Sequence, residues 1–182
     1  YLQTVLKRAS PMPSDKQLIH AQLGMLTEVG ELADAFKREM AYGKALDAVN
    51  IVEEIGDVFW YFVLYCYEKR IDMRTLDDVI TATADLPDGR EPNELVVRTL
   101  ALSVAMLATE DLTKMPRAEV LNGAEATMLI LMGLLLRFGS SVDACLDIND
   151  AKLEKRYQAK FSAAAALNRD LPGEREVLEQ GH

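Results

Sequence analysis

Apolar positions along this chain recur every three or four residues rather than alternating, which is the period of helices that turn one face to a core. The prolines, Pro11, Pro13, Pro87, Pro92, Pro116 and Pro172, fall between the long periodic tracts and mark their ends. The pattern predicts a helix over about Ser14–Met40, with Ser14 as its N-cap and Asp15 in the first turn, where a carboxylate suits the helix dipole. A Gly-containing loop at Tyr42–Lys44 follows, then a helix over about Val49–Lys69 and a short one from near Met73. The stretch Asp85–Pro92 (DLPDGREP) reads as a linker. Apolar helices are predicted over Asn93–Met115 and Ala118–Phe138, and a polar tail from Val142 carries a helical piece through Lys155. Strand signals are weak throughout. The expected fold class is all-α, a helical bundle around a four-helix core.

The two halves resemble each other: helix, loop, helix, then IDMRTLDDV in one and SVDACLDIN in the other. Setting Leu76 on Leu146 places Glu54 opposite Ala124 and Asp57 opposite Thr127. A degenerate tandem repeat of a helical hairpin gives this pattern, and so do two generic hairpins. The 182 residues suit one domain, 1–182, with an acidic half at 14–84 and a packing half and tail at 93–178.

Composition narrows the choice of partners. With 49% hydrophobic residues the chain can bury a sizeable core, and its mean hydropathy is -0.01. No run of about 18 uncharged apolar residues is present, so no membrane span is expected; Met128–Leu136, about half that length, reads as a buried helix. The first residues lack the order of a secretory signal. Cys66 and Cys145 lie in apolar surroundings without a CxxC pairing, which fits a reducing compartment, so a cytoplasmic location is expected (the host cytoplasm if the chain is phage-encoded). The net charge of -9 argues against nucleic acid as a partner, because duplex binders present a basic face to the phosphates. An acidic protein that takes a polyphosphate needs a divalent cation to bridge the like charges.

Two segments supply candidates for that cation site. LTEVGELADAF (Leu26–Phe36) carries Glu28 and Glu31, and VEEIGDVFWYF (Val52–Phe62) carries Glu54 and Asp57. Each pair is spaced i, i+3, so on a helix its carboxylates are neighbours on one face. Like charges so placed weaken a helix, and helix stability gives no reason to choose them. A single such pair usually sits on a solvated face. Here the second helix is apolar around most of its circumference, and Glu54, Asp57, Tyr61 and Glu68 form one stripe on it. Four carboxylates converging between two such helices need cations, and oxygen-only ligands suit Mg²⁺ or Mn²⁺. Gly30 and Gly56, each inside a pair, are candidates for close helix approach. Tyr61, sharing the acidic stripe, can reach substrate, whereas Trp60, Tyr65 and Tyr67 read as core. His20 stands two turns before Glu28 and reads as an ordinary amphipathic histidine.

The spacing Glu28-x-x-Glu31 followed by Glu54-x-x-Asp57, in EVGELADAF and EEIGDVFWYF, resembles the MazG-like branch of the all-α nucleoside triphosphate pyrophosphohydrolases. Thr27 stands where that family often has a further Glu, and Glu53 is an additional acid beside the second pair. The tail NDAKLEKRYQAKFSAAAALNRDLPGERE (Asn149–Glu176) is similar to the family's C-terminal portion. The resemblance implies that Glu28, Glu31, Glu54 and Asp57 hold Mg²⁺, with Mn²⁺ able to substitute, and that Asn149, Lys152, Arg156 and Tyr157 approach the triphosphate or sugar. Asn168 and Arg169 are weaker candidates. It also implies attack between the α and β phosphates, release of a monophosphate and pyrophosphate, and a role in deoxynucleotide pool control. The base stays open among dGTP, dUTP, dCTP and others. Family members commonly complete their pocket across a homodimer or homotetramer.

Other chemistries fit worse. A ferritin-like di-iron site needs two Glu-x-x-His motifs, and the only histidines, His20 and His182, lie in none. P-loop, dinucleotide and nucleophile-elbow motifs are missing. A non-catalytic, metal-binding helical regulator would be favoured by the loss of one of the four acids, and all four are present.

Overall fold

The computed structural model describes residues 1–72, 92–157, 168 and 170–180. Among these are seven α-helices and no strand: α1 Leu2–Arg8, α2 Ser14–Tyr42, α3 Ala48–Glu68, α4 Asn93–Ala108, α5 Arg117–Arg137, α6 Val142–Tyr157 and α7 Leu171–Gln180. The fold is all-α. The short helix expected near Met73, the linker before Pro92, the Leu76 register anchor and Arg169 lie outside the described residues.

Local chemistry sets the ends of the central helices. Pro13 takes the cap position of α2, so Ser14 is its first helical residue and not the N-cap; its hydroxyl instead donates to Glu68 Oε2 at 2.5 Å, tying the start of α2 to the end of α3. Gly43 ends α2 at φ 64, a left-handed conformation that costs glycine nothing. Asp47 caps α3 by accepting from the Asn50 amide at 3.3 Å. At the other end, Arg117 of α5 donates to the carbonyls of Lys69 and Arg70, satisfying acceptors that the helix leaves open.

The helix expected to run to Met115 stops at Ala108, and Thr109–Lys114 form turns. Lys114 has φ 53, and a residue before Pro116 avoids the helical region. α1 and α7 carried no recognised signal; α1 is held by the burial of Val5 and Arg8, α7 by that of Glu174 and Leu178.

Helix α2 packs against α3 and α4, α4 against α5, and α5 returns to touch α3; α1, α6 and α7 cover the other side of α3. This arrangement places α3 at the centre. Thirteen of its residues are buried, Phe59, Phe62, Leu64 and Tyr65 among the most enclosed. Ala124 and Thr127, opposite Glu54 and Asp57 in the repeat register, are fully buried on α5, where Thr127 donates to the Gly123 carbonyl. Helix α5 is, by length and composition alone, apolar enough to cross a membrane, and 44% of its most apolar window is buried against the rest of the protein.

Candidate metal centre

The acidic stripe of α3 faces α2. Oxygens of Glu28, Glu54 and Asp57 lie within 4.8 Å of one another. Glu54 is 7% exposed, and Glu28 and Asp57 are half-buried. Glu31 stands outside that trio, exposed, at the mouth of a cavity of about 590 Å³ that Glu54 also lines. Burial, followed by the charges of Asp57, Glu31, Glu53 and Glu28, pushes the Glu54 carboxyl up to about 8. Three carboxylates so close repel one another and are oxygen donors only, which is the chemistry of a hard divalent cation.

The tail contributes one positive charge. Lys152 of α6 is fully buried, and its ammonium donates to both oxygens of Asp57, at 2.6 and 2.5 Å, and to Glu53 at 3.4 Å. Burial works against this ammonium, but Asp57 and Glu53 outweigh it and raise its pKa, so it stays charged. Asn149 donates from Nδ2 to Asp57 at 2.6 Å and accepts from the Tyr1 hydroxyl at 2.8 Å. Close approach of α6 to α3 rests on Gly56, where a Cβ would come within 3.2 Å of Asn149. Asn149 and Lys152, which the resemblance assigns to the triphosphate or sugar, both clasp Asp57.

Arg156 donates through Nε and Nη2 to Glu174, at 2.9 and 2.6 Å, a two-pronged pair between α6 and α7. Its guanidinium also lies 5.7 Å from the centre of the Tyr157 ring. Arg156, Tyr157 and Tyr61 line a second, smaller cavity of about 90 Å³ together with Glu28 and Asp57. Burial first, then Glu28 and Asp57, raises the Tyr61 hydroxyl above its ordinary value, so it remains a proton donor at neutral pH. Thr27 donates to the Gly24 carbonyl of its own helix at 2.8 Å and brings no acid to the centre. Asn168 is exposed.

Residues 18–94, which hold all four of the acids that the sequence singled out, match the MazG nucleotide pyrophosphohydrolase domain. The segment is similar to that domain. MazG domains are nucleoside triphosphate pyrophosphohydrolases, hydrolases of phosphoanhydride bonds that work with a divalent metal. The match takes in most of α2 and all of α3 and ends just inside α4, so Asn149, Lys152, Arg156 and Tyr157 lie outside it and reach the acidic centre through the fold alone. No curated protein and no solved structure matches the chain.

Sequence reasoning missed Arg8, Glu174 and Tyr1, whose partners are distant along the chain. It also set aside His20 and Trp60, which line the small cavity with Tyr61. The spacing His20, Gly24, Glu28 along one face of α2 was the available signal.

Proposed function

We propose that this protein hydrolyses deoxynucleoside triphosphates between the α and β phosphates, releasing the monophosphate and pyrophosphate, with Mg²⁺ as its metal and Mn²⁺ as a substitute. The observation that carries the reading is the convergence of Glu28, Glu54 and Asp57 inside the segment that matches the MazG family. Glu31 completes the proposed ligand set from the rim of the larger cavity, whose lining also includes Arg38 and Lys44.

A divalent cation held by these acids would screen the phosphates and lower the pKa of an attacking water. The chain's own groups prepare the place. Lys152 and Asn149 fix the Asp57 carboxylate so that it does not swing away from Glu28 and Glu54. Glu54, holding a proton near neutral pH, releases it when positive charge arrives. Arg156 and Tyr157 border the opening next to Asp57, where substrate oxygens would lie.

The test is incubation of purified protein with Mg²⁺ and each dNTP, followed by separation of monophosphate and pyrophosphate. Every nucleotide left intact defeats the reading. Glu54→Gln should lower turnover by about a hundredfold or more, as loss of one preorganised electrostatic group does; unchanged turnover defeats the site assignment. The proposal extends to cytoplasmic control of deoxynucleotide pools by a homodimer or homotetramer. Ile19 and Leu23 on α2 and Leu102 on α4, each more than half exposed, support self-association. Light scattering at micromolar concentration that reports a monomer would retire that extension.

A further inference from the structure

The small cavity beside the acidic centre has features that metal binding leaves unexplained. Its walls are aromatic: His20 lies edge-on to Tyr61 with ring centres 5.4 Å apart, and Tyr61 edge-on to Trp60 at 5.0 Å. Tyr61 is seated by Gly24, whose missing side chain gives the ring its place; a Cβ there would fall 2.2 Å from Tyr61 Cδ1. Two polar atoms of this wall's residues, Trp60 Nε1 and His20 Nδ1, are buried without a hydrogen-bond partner among the described residues. A buried group left unpaired is costly, so two in one wall call for a ligand that satisfies them.

We propose that His20 and Trp60 read the nucleobase, and that the cavity they line takes a single-ring base. The inference rests on the pyrophosphohydrolase reading for its substrate class. A base stacked against Tyr61 would place its sugar beside Glu28 and Asp57, which line the same cavity, and direct the triphosphate across Glu54 toward the larger one. The indole N–H is an obligate donor and needs a carbonyl or ring nitrogen, while the imidazole nitrogen can give or accept according to tautomer. Pyrimidine edges offer that pairing. Size favours the smaller bases: a benzene-sized ring occupies a cavity of roughly 150 Å³, against about 90 Å³ in this partly open one. One ring therefore enters with a small outward shift of half-buried walls such as Tyr157, and a fused bicycle needs much more.

Trp60 is the chain's sole tryptophan, so its emission reports directly on this cavity. The full chain is titrated, without metal, with dCMP, dTMP, dAMP and dGMP, and separately with Mg²⁺–tripolyphosphate, which has no base. The expected result is a saturable emission change with the pyrimidine nucleotides, at least tenfold weaker binding of the purines, and no change with tripolyphosphate. His20→Phe and Trp60→Phe should reduce the pyrimidine-to-purine ratio of kcat/KM at least tenfold, because loss of a base-edge contact falls on discrimination. If Trp60→Phe fails to fold, His20→Phe and the wild-type titration still decide. Turnover with silent emission and an unchanged ratio in the variants would overturn the base assignment and leave the hydrolase standing. Tighter binding of purines would overturn the single-ring claim. Saturable emission changes without any turnover would uphold the base assignment and defeat the reaction.

Discussion

Lys152 donates to both oxygens of Asp57 from a position with no solvent exposure, and Asp57 is itself one of three acids in contact distance. Removing one partner of a buried ion pair leaves the other charge uncompensated, typically at a cost of about 3–5 kcal/mol. Lys152→Met should therefore destabilise the metal-free protein by roughly that amount in urea unfolding. Saturating Mg²⁺ should recover part of the loss, because a cation among Glu28, Glu54 and Asp57 replaces the missing positive charge. Equal losses with and without Mg²⁺ would count against the centre as a cation site. The same residue shows where local reading stops. In the run KLEKR nothing distinguishes a lysine bound for a phosphate from one bound for a carboxylate 95 positions earlier, since helical spacing reports a face and not what the face meets. The acids were legible for the opposite reason. Like charges at i, i+3 in an apolar helix contradict local preference, and the contradiction is visible in the sequence alone.

At the scale of elements, the central fact is how closely α2 and α3 approach. Gly30 lies inside the first acidic pair, yet a Cβ there meets nothing within 4 Å among the described residues, and the glycine in contact with α3 is Gly24, against the ring of Tyr61. Gly24→Ala should cost about 1–3 kcal/mol, as overpacking does, and displace Tyr61 from the small cavity. Gly30→Ala should stabilise by about 0.5–1 kcal/mol through helix propensity. Thermal unfolding of the two variants beside wild type checks both, and shifts of the same sign would show that the helix contact is misplaced. The spans of α2, α3 and α5 were readable to within a few residues because long amphipathic or apolar tracts set them. The end of α4 was not, since Thr109–Lys114 remain helix-compatible by composition and turn only because the chain must reach Pro116 and start α5. The seven residues of α1 are too few to signal a helix in isolation; burial of Val5 and the pairing of Arg8 with Asp150 hold them in place.

For the molecule as a whole, a chain of net charge -9 gathers several of its acids at one buried centre, which ties its stability to both pH and metal. Glu54 titrates near 4.5 when solvated and near 8 in the fold. Between those values the folded protein holds a proton that the unfolded chain has lost. Unfolding then releases a proton, so the contribution of Glu54 is greatest below about 4.5 and falls away as pH rises through 8. Metal-free protein should accordingly lose thermal stability from pH 5 to pH 8. A divalent cation competes with that same proton, so the stabilisation by a fixed concentration of Mg²⁺ should grow over the same range. General repulsion among the other acids also strengthens with pH, and Glu54→Gln separates the two effects. The variant keeps the net repulsion of the surface but has no proton to exchange at this position, so its metal-free Tm should fall less steeply and its response to Mg²⁺ should be small and flat with pH. Scanning calorimetry of both proteins at pH 5, 6, 7 and 8, with EDTA and with Mg²⁺, reads all of these slopes; a variant that follows wild type at every pH would place the pH-sensitive charge elsewhere than at Glu54.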